Sequence, residues 1–387
     1  MALLYDKMTQ KSKRILLFTT AFQPLIGGSE IAIESVARRL GDVFFDIITP
    51  KNRRSLKTVD SKNNICIHRI GFGYEFIDKY LFPILGALRA LHLMRAKSYA
   101  AIHAYQASQG AGAAWIIKCL KPETKFILSL QEGKNLNAQS WWIKFFRNLI
   151  IKKADIVTGI SNYLVNYARS INHRAETRLI SNGVDSEKFM IVENANLALK
   201  KKLGIKESDR VVISVSRLVP KNGLANLIEA MSLVKEQIPD VKLLIIGSGQ
   251  LAADLRKMAD TLNLRSEIIF LGEIENNQIP FYLKLADVFV RPSVSEGLGI
   301  SFLEAMAAGV PIIGTPVGGI PDFLEDRVTG LFCKVADRQS VAEKVMEILR
   351  DHDLRINLIN NARQIIQAKY DWQTIAEQFR DIYFHEK

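Results

Sequence analysis

Cysteine is scarce in this chain: Cys66, Cys119 and Cys333 are scattered over 387 positions and form no C-x-x-C pair. An odd, dispersed set builds neither a disulfide framework nor a structural zinc site, and it fits a reducing compartment. Long apolar runs are also missing. The best, Tyr80 to Leu88, ends at Arg89, well short of the ~20 residues that cross a bilayer. The first residues, Met1 to Arg14, are polar and basic and lack the apolar centre of a secretory signal. There is no short-period repeat and no low-complexity tract. These absences together predict a cytoplasmic chain that is soluble or rests on a surface.

Length then argues for two domains, because 387 residues exceed what one hydrophobic core supports. The charge is lopsided. Residues 1–185 hold 27 Lys and Arg against 13 Asp and Glu, an excess of 14, although the whole chain carries only +12. Positive charge gathered in one half predicts a polyanionic partner: nucleic acid, an anionic membrane or an anionic substrate. No helix-turn-helix, RNP or other recognisable nucleic-acid module is present, so nucleic acid is the poorest of the three.

Short apolar runs alternate with amphipathic stretches, twice over. In the first half 14–19, 44–49, 65–70, 101–104, 126–130 and 156–160 read as strands, with a helix over 29–40 whose Ile33, Val36, Ala37 and Leu40 share one face. In the second half 211–216, 242–246, 268–271, 288–291 and 311–314 read as strands, followed by helical stretches such as 223–236. Strand–helix alternation predicts parallel sheets covered on both faces, hence two doubly wound α/β domains. The polar stretch 185–202 reads as the linker between them. In such sheets ligands bind beyond the carboxyl ends of the strands, in a cleft where two domains face each other.

The richest loop runs from Arg291 to Asp322, RPSVSEGLGISFLEAMAAGVPIIGTPVGGIPD. A strand ends at Arg291, glycines at 297 and 299 open the backbone to a ligand, and a helix begins near Ser301. A helix start of this kind offers free N–H groups and positive potential to a phosphate. Glu296 and Glu304 supply carboxylate acceptors for pairs of hydroxyl donors, as a sugar and a ribose present. The plainer alternative is a capping box, Ser301-x-x-Glu304, in which Glu304 serves only the helix end.

This stretch resembles the signature of glycosyltransferase family 4, a Glu, seven residues and a second Glu within S-E-G-x-G-x-x-x-x-E-A-M-A-x-G-x-P. Ser295, Glu296, Gly297, Gly299, Glu304, Ala305, Met306, Gly309 and Pro311 all match. Further matches follow in order: Pro24 to Glu30 (PLIGGSE) for the family's Gly-Gly loop, Asn182 to Asp185 (NGVD), Ser216 to Pro220 (SRLVP), the Gly247–Gly249 turn and a closing helix, 372–383. The resemblance implies the GT-B fold, two Rossmann-like domains facing across a cleft with the last helix returning to the first. Residues 1–184 with 371–387 would bind the acceptor, and 185–370 the nucleotide sugar. It implies a retaining, metal-independent hexosyltransferase that needs no cofactor beyond its UDP- or GDP-sugar donor. A glycan or glycolipid of the cell envelope would be the acceptor. Glu296, Arg217 and Gln131 would serve catalysis. Gly27, Gly28, Arg217, Lys221, Gly247, Gly297, Leu298, Gly299, Ile300 and Glu304 would hold the donor.

The pattern breaks in two places. The family's Lys after S-R-L-x-P is replaced by Asn222, with Lys221 one position earlier. Gln131 stands where a His is common; its amide bonds a sugar hydroxyl but exchanges no proton near neutral pH. Glu132 joins it on the acceptor side, with His103 and Tyr105 as further candidates, although a lone histidine at a strand end is more often structural. Asp351-His352-Asp353 lies between helices in a charged stretch and reads as solvated surface, not as a metal site.

Residues 139–153, QSWWIKFFRNLIIKK, form a basic amphipathic helix that bears aromatics. Trp141, Trp142, Lys144, Phe145 and Arg147 are the expected contacts with a membrane interface, Lys144 and Arg147 lying opposite the aromatic side. The alternative is that the aromatic side packs into the core. Residues 79–97 are the second stretch that could share this face. Two rival functions also fit the motifs: a nucleotide-sugar epimerase, and a non-catalytic relative acting as a binding or scaffold subunit.

Overall fold

The computed structural model describes residues 13–24, 27–133, 136, 139–190 and 196–385. Contacts divide the chain into two compact units, Met1–Asn182 with Trp372–Lys387, and Gly183–Asp371.

The first unit alternates β1 (Arg14–Phe18), α1 (Gly28–Arg39), β2 (Phe44–Pro50), β3 (Val59–Lys62), β4 (Ile65–Ile70), α2 (Glu75–Ala96) and β5 (Ala101–Tyr105). It continues through α3 (Gln109–Leu120), β6 (Phe126–Leu130), α4 (Trp141–Lys153), β7 (Ile156–Gly159), α5 (Asn162–Ile171) and β8 (Glu176–Leu179). The eight strands form one sheet in the order β3-β4-β2-β1-β5-β6-β7-β8. All pairs are parallel except β3 with β4. Continuous apolar runs such as Arg14-Ile-Leu-Leu-Phe18 suit strands covered on both faces, and β5 and β6 are buried along their whole length.

The second unit begins with α6 (Ser186–Met190) and α7 (Asn196–Lys202), so 185–202 is not the bare linker that its polarity suggests. The start of the unit is anchored: the Val184 N–H donates to the Tyr370 carbonyl at 2.7 Å, and Ser186 Oγ to Asp371 at 3.0 Å. Residues 191–195 of that stretch lie outside the described residues. Next come β9 (Arg210–Val215), α8 (Leu224–Gln237), β10 (Val241–Ile246), α9 (Ala252–Thr261), β11 (Ile268–Gly272), α10 (Ile279–Leu283) and β12 (Val288–Arg291). Then follow α11 (Ile300–Ala307), β13 (Ile312–Gly314), β14 (Leu331–Phe332), α12 (Arg338–Arg350) and α13 (His352–Ile365). Six parallel strands run β11-β10-β9-β12-β13-β14. Asp351 caps α13 by accepting from the Leu354 N–H, which gives the charged 351–353 stretch its place at a helix start.

The last helix, α14 (Trp372–Phe384), belongs to the first unit and packs against α1. Trp372, Ile375, Ala376, Phe379, Ile382 and Tyr383 sit in the same core cluster as Ile15, Ile33, Phe45 and Ile127. Its helical spacing turns one apolar stripe inward, onto the first unit as the family resemblance implies.

Candidate active site

In the second unit the expected donor residues gather at the carboxyl ends of β9, β10 and β12. Strand β12 reads Val-Phe-Val-Arg, and its last side chain, Arg291, is buried beneath the following loop. Its guanidinium pairs with Glu296 Oε2 at 2.7 Å and donates to Ser301 Oγ at 2.7 Å. It also stacks on the Phe302 ring, 4.7 Å from the centroid. Ser301 Oγ donates onward to the Val215 carbonyl at the end of β9, 2.9 Å away. Lys221 Nζ approaches Glu296 Oε1 at 3.6 Å, and the Gly297 N–H donates to the same oxygen at 3.0 Å. Arg291 first, then Lys221, outweighs burial and holds the Glu296 carboxyl below its usual range.

The capping-box alternative for Glu304 is overturned. Helix α11 starts after Gly299, whose φ of +95° no larger residue adopts comfortably, and no side chain caps it. Ser301 lies inside the helix with its hydroxyl committed to Val215 and Arg291. A Cβ on Gly299 would come within 2.6 Å of the Arg291 guanidinium, so that glycine is needed for space as well as for conformation. Glu304, partly exposed, is pushed up to about 7 by burial, with Arg291 pulling in the other direction. Leu298 is buried and anchors the loop, whereas Ile300 is only partly covered.

The loop after β9 carries Arg217, which is exposed. Asn222, in the place of the family's Lys, is buried and donates from Nδ2 to the Arg217 carbonyl at 2.7 Å. It shapes the loop, and the neighbouring Lys221 turns its amine towards Glu296. Burial, Arg291 and Arg217 together depress the Lys221 amine against the pull of Glu296. Gly247 sits at φ +130°, and a Cβ there would lie 1.9 Å from the Ser216 carbonyl, so the loops after β9 and β10 touch only because it is glycine.

In the first unit a second polar group forms beyond β1, β5, β6 and β8. Gln131 and Asn182 exchange amide hydrogen bonds of 3.1 and 2.9 Å. Glu132 accepts from the Ala107 and Gln131 N–H groups, each at 2.8 Å, and burial raises its carboxyl. Gly27 precedes α1 and Gly28 opens it; Ser29 and Glu30 behind them are buried and bonded to each other. Leu25 and Ile26 of the Gly-Gly motif lie outside the described residues.

Three expectations need correction. His103 is fully buried: its ring bonds Tyr383 Oη at 2.8 Å and Ser129 Oγ at 2.7 Å, and burial pushes it down to about 3. It fastens α14 to β5, and both of its ring nitrogens are taken by protein partners. Tyr105 is likewise buried in the core beside His103 and Phe379. Arg147 is 3% exposed and donates to Tyr167 Oη and Gln139, so it points into the unit instead of towards a membrane. The aromatic side of α4 faces outward instead: Trp141 is 78% exposed, and Trp142, Phe145 and Phe146 are also exposed, with Lys144 partly so. The alternative that this side fills the core is thereby excluded.

Asp46, Cys66 and His68 form a group of metal-ligand type. Asp46 is already claimed by Lys97 at 2.9 Å, Tyr99 at 2.9 Å and His68 at 3.0 Å, while Arg89 donates to the other His68 nitrogen. A carboxylate so surrounded by cations is an ion-pair hub, and its charge is spent. Sequence reasoning passed over this hub, the Gln131–Asn182 pair and Arg291. The last left one readable signal, a charged residue ending an otherwise apolar strand.

Two Rossmann-like sheets, parallel but for the edge strand β3, polar and glycine loops at their strand ends, and a last helix on the first unit define a GT-B protein. The solved structure of Anabaena HepE in complex with UDP and glucose matches with a TM-score of 0.79 at 20% identity, covering 95% of this chain and 98% of that one. A family model described as Glycosyltransferase Family 4 matches residues 26–188, and one described as Glycosyl transferases group 1 matches 196–365. The chain belongs to glycosyltransferase family 4, whose enzymes transfer sugar from nucleotide sugars. N-acetyl-alpha-D-glucosaminyl L-malate synthase of Bacillus anthracis is 25% identical over 366 residues, 93% of this chain and 94% of its own. A GDP-mannose-dependent alpha-(1-6)-phosphatidylinositol monomannoside mannosyltransferase of Mycobacterium tuberculosis is 32% identical over 235 residues, 59% of this chain and 61% of that one.

Proposed function

We propose that this glycosyltransferase moves a hexosyl unit, with retention and without a metal, from a UDP- or GDP-sugar to a lipid-linked or saccharide acceptor of the cell envelope. The second unit takes the donor and the first takes the acceptor. The observation that carries this reading is the cluster of Glu296, Arg291 and Lys221 beside the amino end of α11, with Glu304 one helical stretch further on. Carboxylates there receive the sugar and ribose hydroxyls, while loop N–H groups, Arg217 and Lys221 receive the diphosphate. In the reaction the acceptor oxygen bonds the anomeric carbon as the carbon–phosphate oxygen bond breaks. The leaving diphosphate takes the acceptor proton, so no side-chain base is required, in keeping with an amide at Gln131. Gln131, held by Asn182, and Glu132 orient the reacting hydroxyl.

The named relatives support both nucleotides, one being GDP-mannose-dependent and one solved structure holding UDP and glucose. A membrane-borne acceptor also agrees with the outward aromatic side of α4, whose charged residues, Lys144, Arg147, Lys152 and Lys153, are all basic. Helix α2 adds Phe76, Tyr80, Ile84 and Leu88, exposed at intervals of four and so in one row. Helices α2 and α4 both pack on α3, which puts the two rows in one layer, available to an anionic interface.

The test is melting of the whole chain with UDP-, GDP- and ADP-sugars, with and without EDTA. A ligand at 100 times its dissociation constant adds about 2.7 kcal/mol. A shift with one nucleotide class, unchanged by EDTA and absent from Glu304→Ala, is the expected outcome. A shift abolished by EDTA would refute the metal-free reading. Binding without release of free nucleotide in the presence of any glycan or lipid acceptor would favour the scaffold or epimerase alternatives.

A further inference from the structure

A guanidinium buried at the end of an apolar strand costs free energy unless its donors are all well used. Arg291 uses its two terminal nitrogens across three segments, on Glu296 in the loop after β12, on Ser301 in α11 and, through the Ser301 hydroxyl, on Val215 at the end of β9, while its buried Nε has no partner among the described residues. Gly299 leaves the space it occupies, and Phe302 stacks beneath it. We propose that Arg291 is a positioning residue for the nucleotide-sugar donor. It grips Oε2 of Glu296 and so fixes the carboxylate plane, leaving Oε1, which already accepts from the Gly297 N–H, with a second lone pair for a donor hydroxyl, and it locks the amino end of α11 to the loop that carries Arg217. This rests on the donor reading of the site given above.

The geometry asks for arginine. Two N–H groups reach two acceptors at 2.7 Å each while the plane lies on an aromatic ring, and an ammonium on a flexible stem cannot do all three. Charge is the second contribution. Arg291 draws both Glu296 and Glu304 towards the ionised form, against the burial that raises them. Lys221 also faces Glu296, so losing Arg291 strips Glu304 more completely than Glu296. One cation therefore keeps two acceptor carboxylates ready for the same ligand.

Positioning and charge separate in three variants of the full chain: Arg291→Met, Arg291→Lys and Ser301→Ala. Binding of UDP-glucose and of GDP-mannose is measured by calorimetry from mildly acid to mildly basic pH. Arg291→Met is expected to weaken binding about tenfold or more and to move its pH midpoint upward. Arg291→Lys should keep the midpoint yet bind several-fold more weakly, and Ser301→Ala should do the same with all charges intact. Wild-type affinity and midpoint in a folded Arg291→Met overturn the inference. Should that variant fail to fold, wild-type affinity in both of the others overturns it equally. If the wild-type chain binds neither probe, the donor reading is what fails. Arg291 is then judged on the pH dependence of melting without ligand, and a dependence that Arg291→Lys and Arg291→Met leave unchanged refutes its hold on the carboxylates.

Discussion

Glu304 carries a cost that the donor role proposed for it would explain. Burial disfavours the charge and pushes its carboxyl up to about 7, from an ordinary 4.5. The folded state thus holds this proton more tightly than the unfolded one, so the group erodes stability as pH climbs between those values, and above them the full penalty persists without growing. Glu304→Gln should then melt higher than wild type at about pH 8, by ~2–4 °C per kcal/mol relieved, while losing any donor-induced shift. Calorimetric scans decide it; a variant that melts lower at that pH refutes the assignment. Such an exchange of stability for binding is usual at sites built for a ligand. At this scale the sequence was partly legible. Glu296, Glu304 and the glycines could be picked out because motif spacing exposes them. Arg291 could not, since nothing in the order of residues tells which way the last side chain of a strand turns. His103 shows the same ambiguity: a strand-end histidine reads alike whether it faces a ligand or a core, and here the structural reading holds.

Elements were legible wherever period alone decides. Strands β2, β4, β6 and β12 and helix α1 lie where apolar spacing puts them, and α14 where the family resemblance puts it, to within a residue or two. The short edge strands β3, β8 and β14 left no such pattern, being two to four residues long and mostly exposed or half-buried. Helix α4 is the instructive case. Its amphipathicity was plain, but amphipathicity does not say which side meets protein; Arg147 turned inward to Tyr167 while the aromatics turned out. Trp141→Ser with Phe145→Ser should therefore leave melting nearly unchanged, because those side chains bury little, yet reduce sedimentation with phosphatidylglycerol vesicles. Phe76→Ser with Ile84→Ser should act alike through α2. Equal sedimentation of wild type with anionic and zwitterionic vesicles would refute the charge component, and none with either would remove the membrane from the proposal.

At the scale of the molecule, acid resistance depends on the first unit's hub. Asp46 is fully buried amid Lys97, His68, Tyr99 and Arg14, and those partners hold its carboxyl well below the usual carboxylate range. Its contribution is present above the unfolded value of about 3.9 and is lost as pH falls below that towards the folded one. Asp46→Ala, which strands several donors at once, should cost about 3 kcal/mol or more near neutral pH. Chemical denaturation measures it, and a change under about 1 kcal/mol would mean that water replaces the carboxylate without penalty.

The hydrogen bond between His103 and Tyr383 joins residues 280 positions apart. On the ribosome, that distance is a delay. Translation at ordinary speed needs roughly 10–40 s to pass from Asn182 to Trp372, and throughout it the first unit lacks the helix that closes its core. The nascent chain must wait with Ile15, Phe45 and Tyr105 imperfectly covered. A message truncated just before Trp372 would therefore yield a complete second unit joined to a first that cannot finish folding, prey for chaperones and proteases.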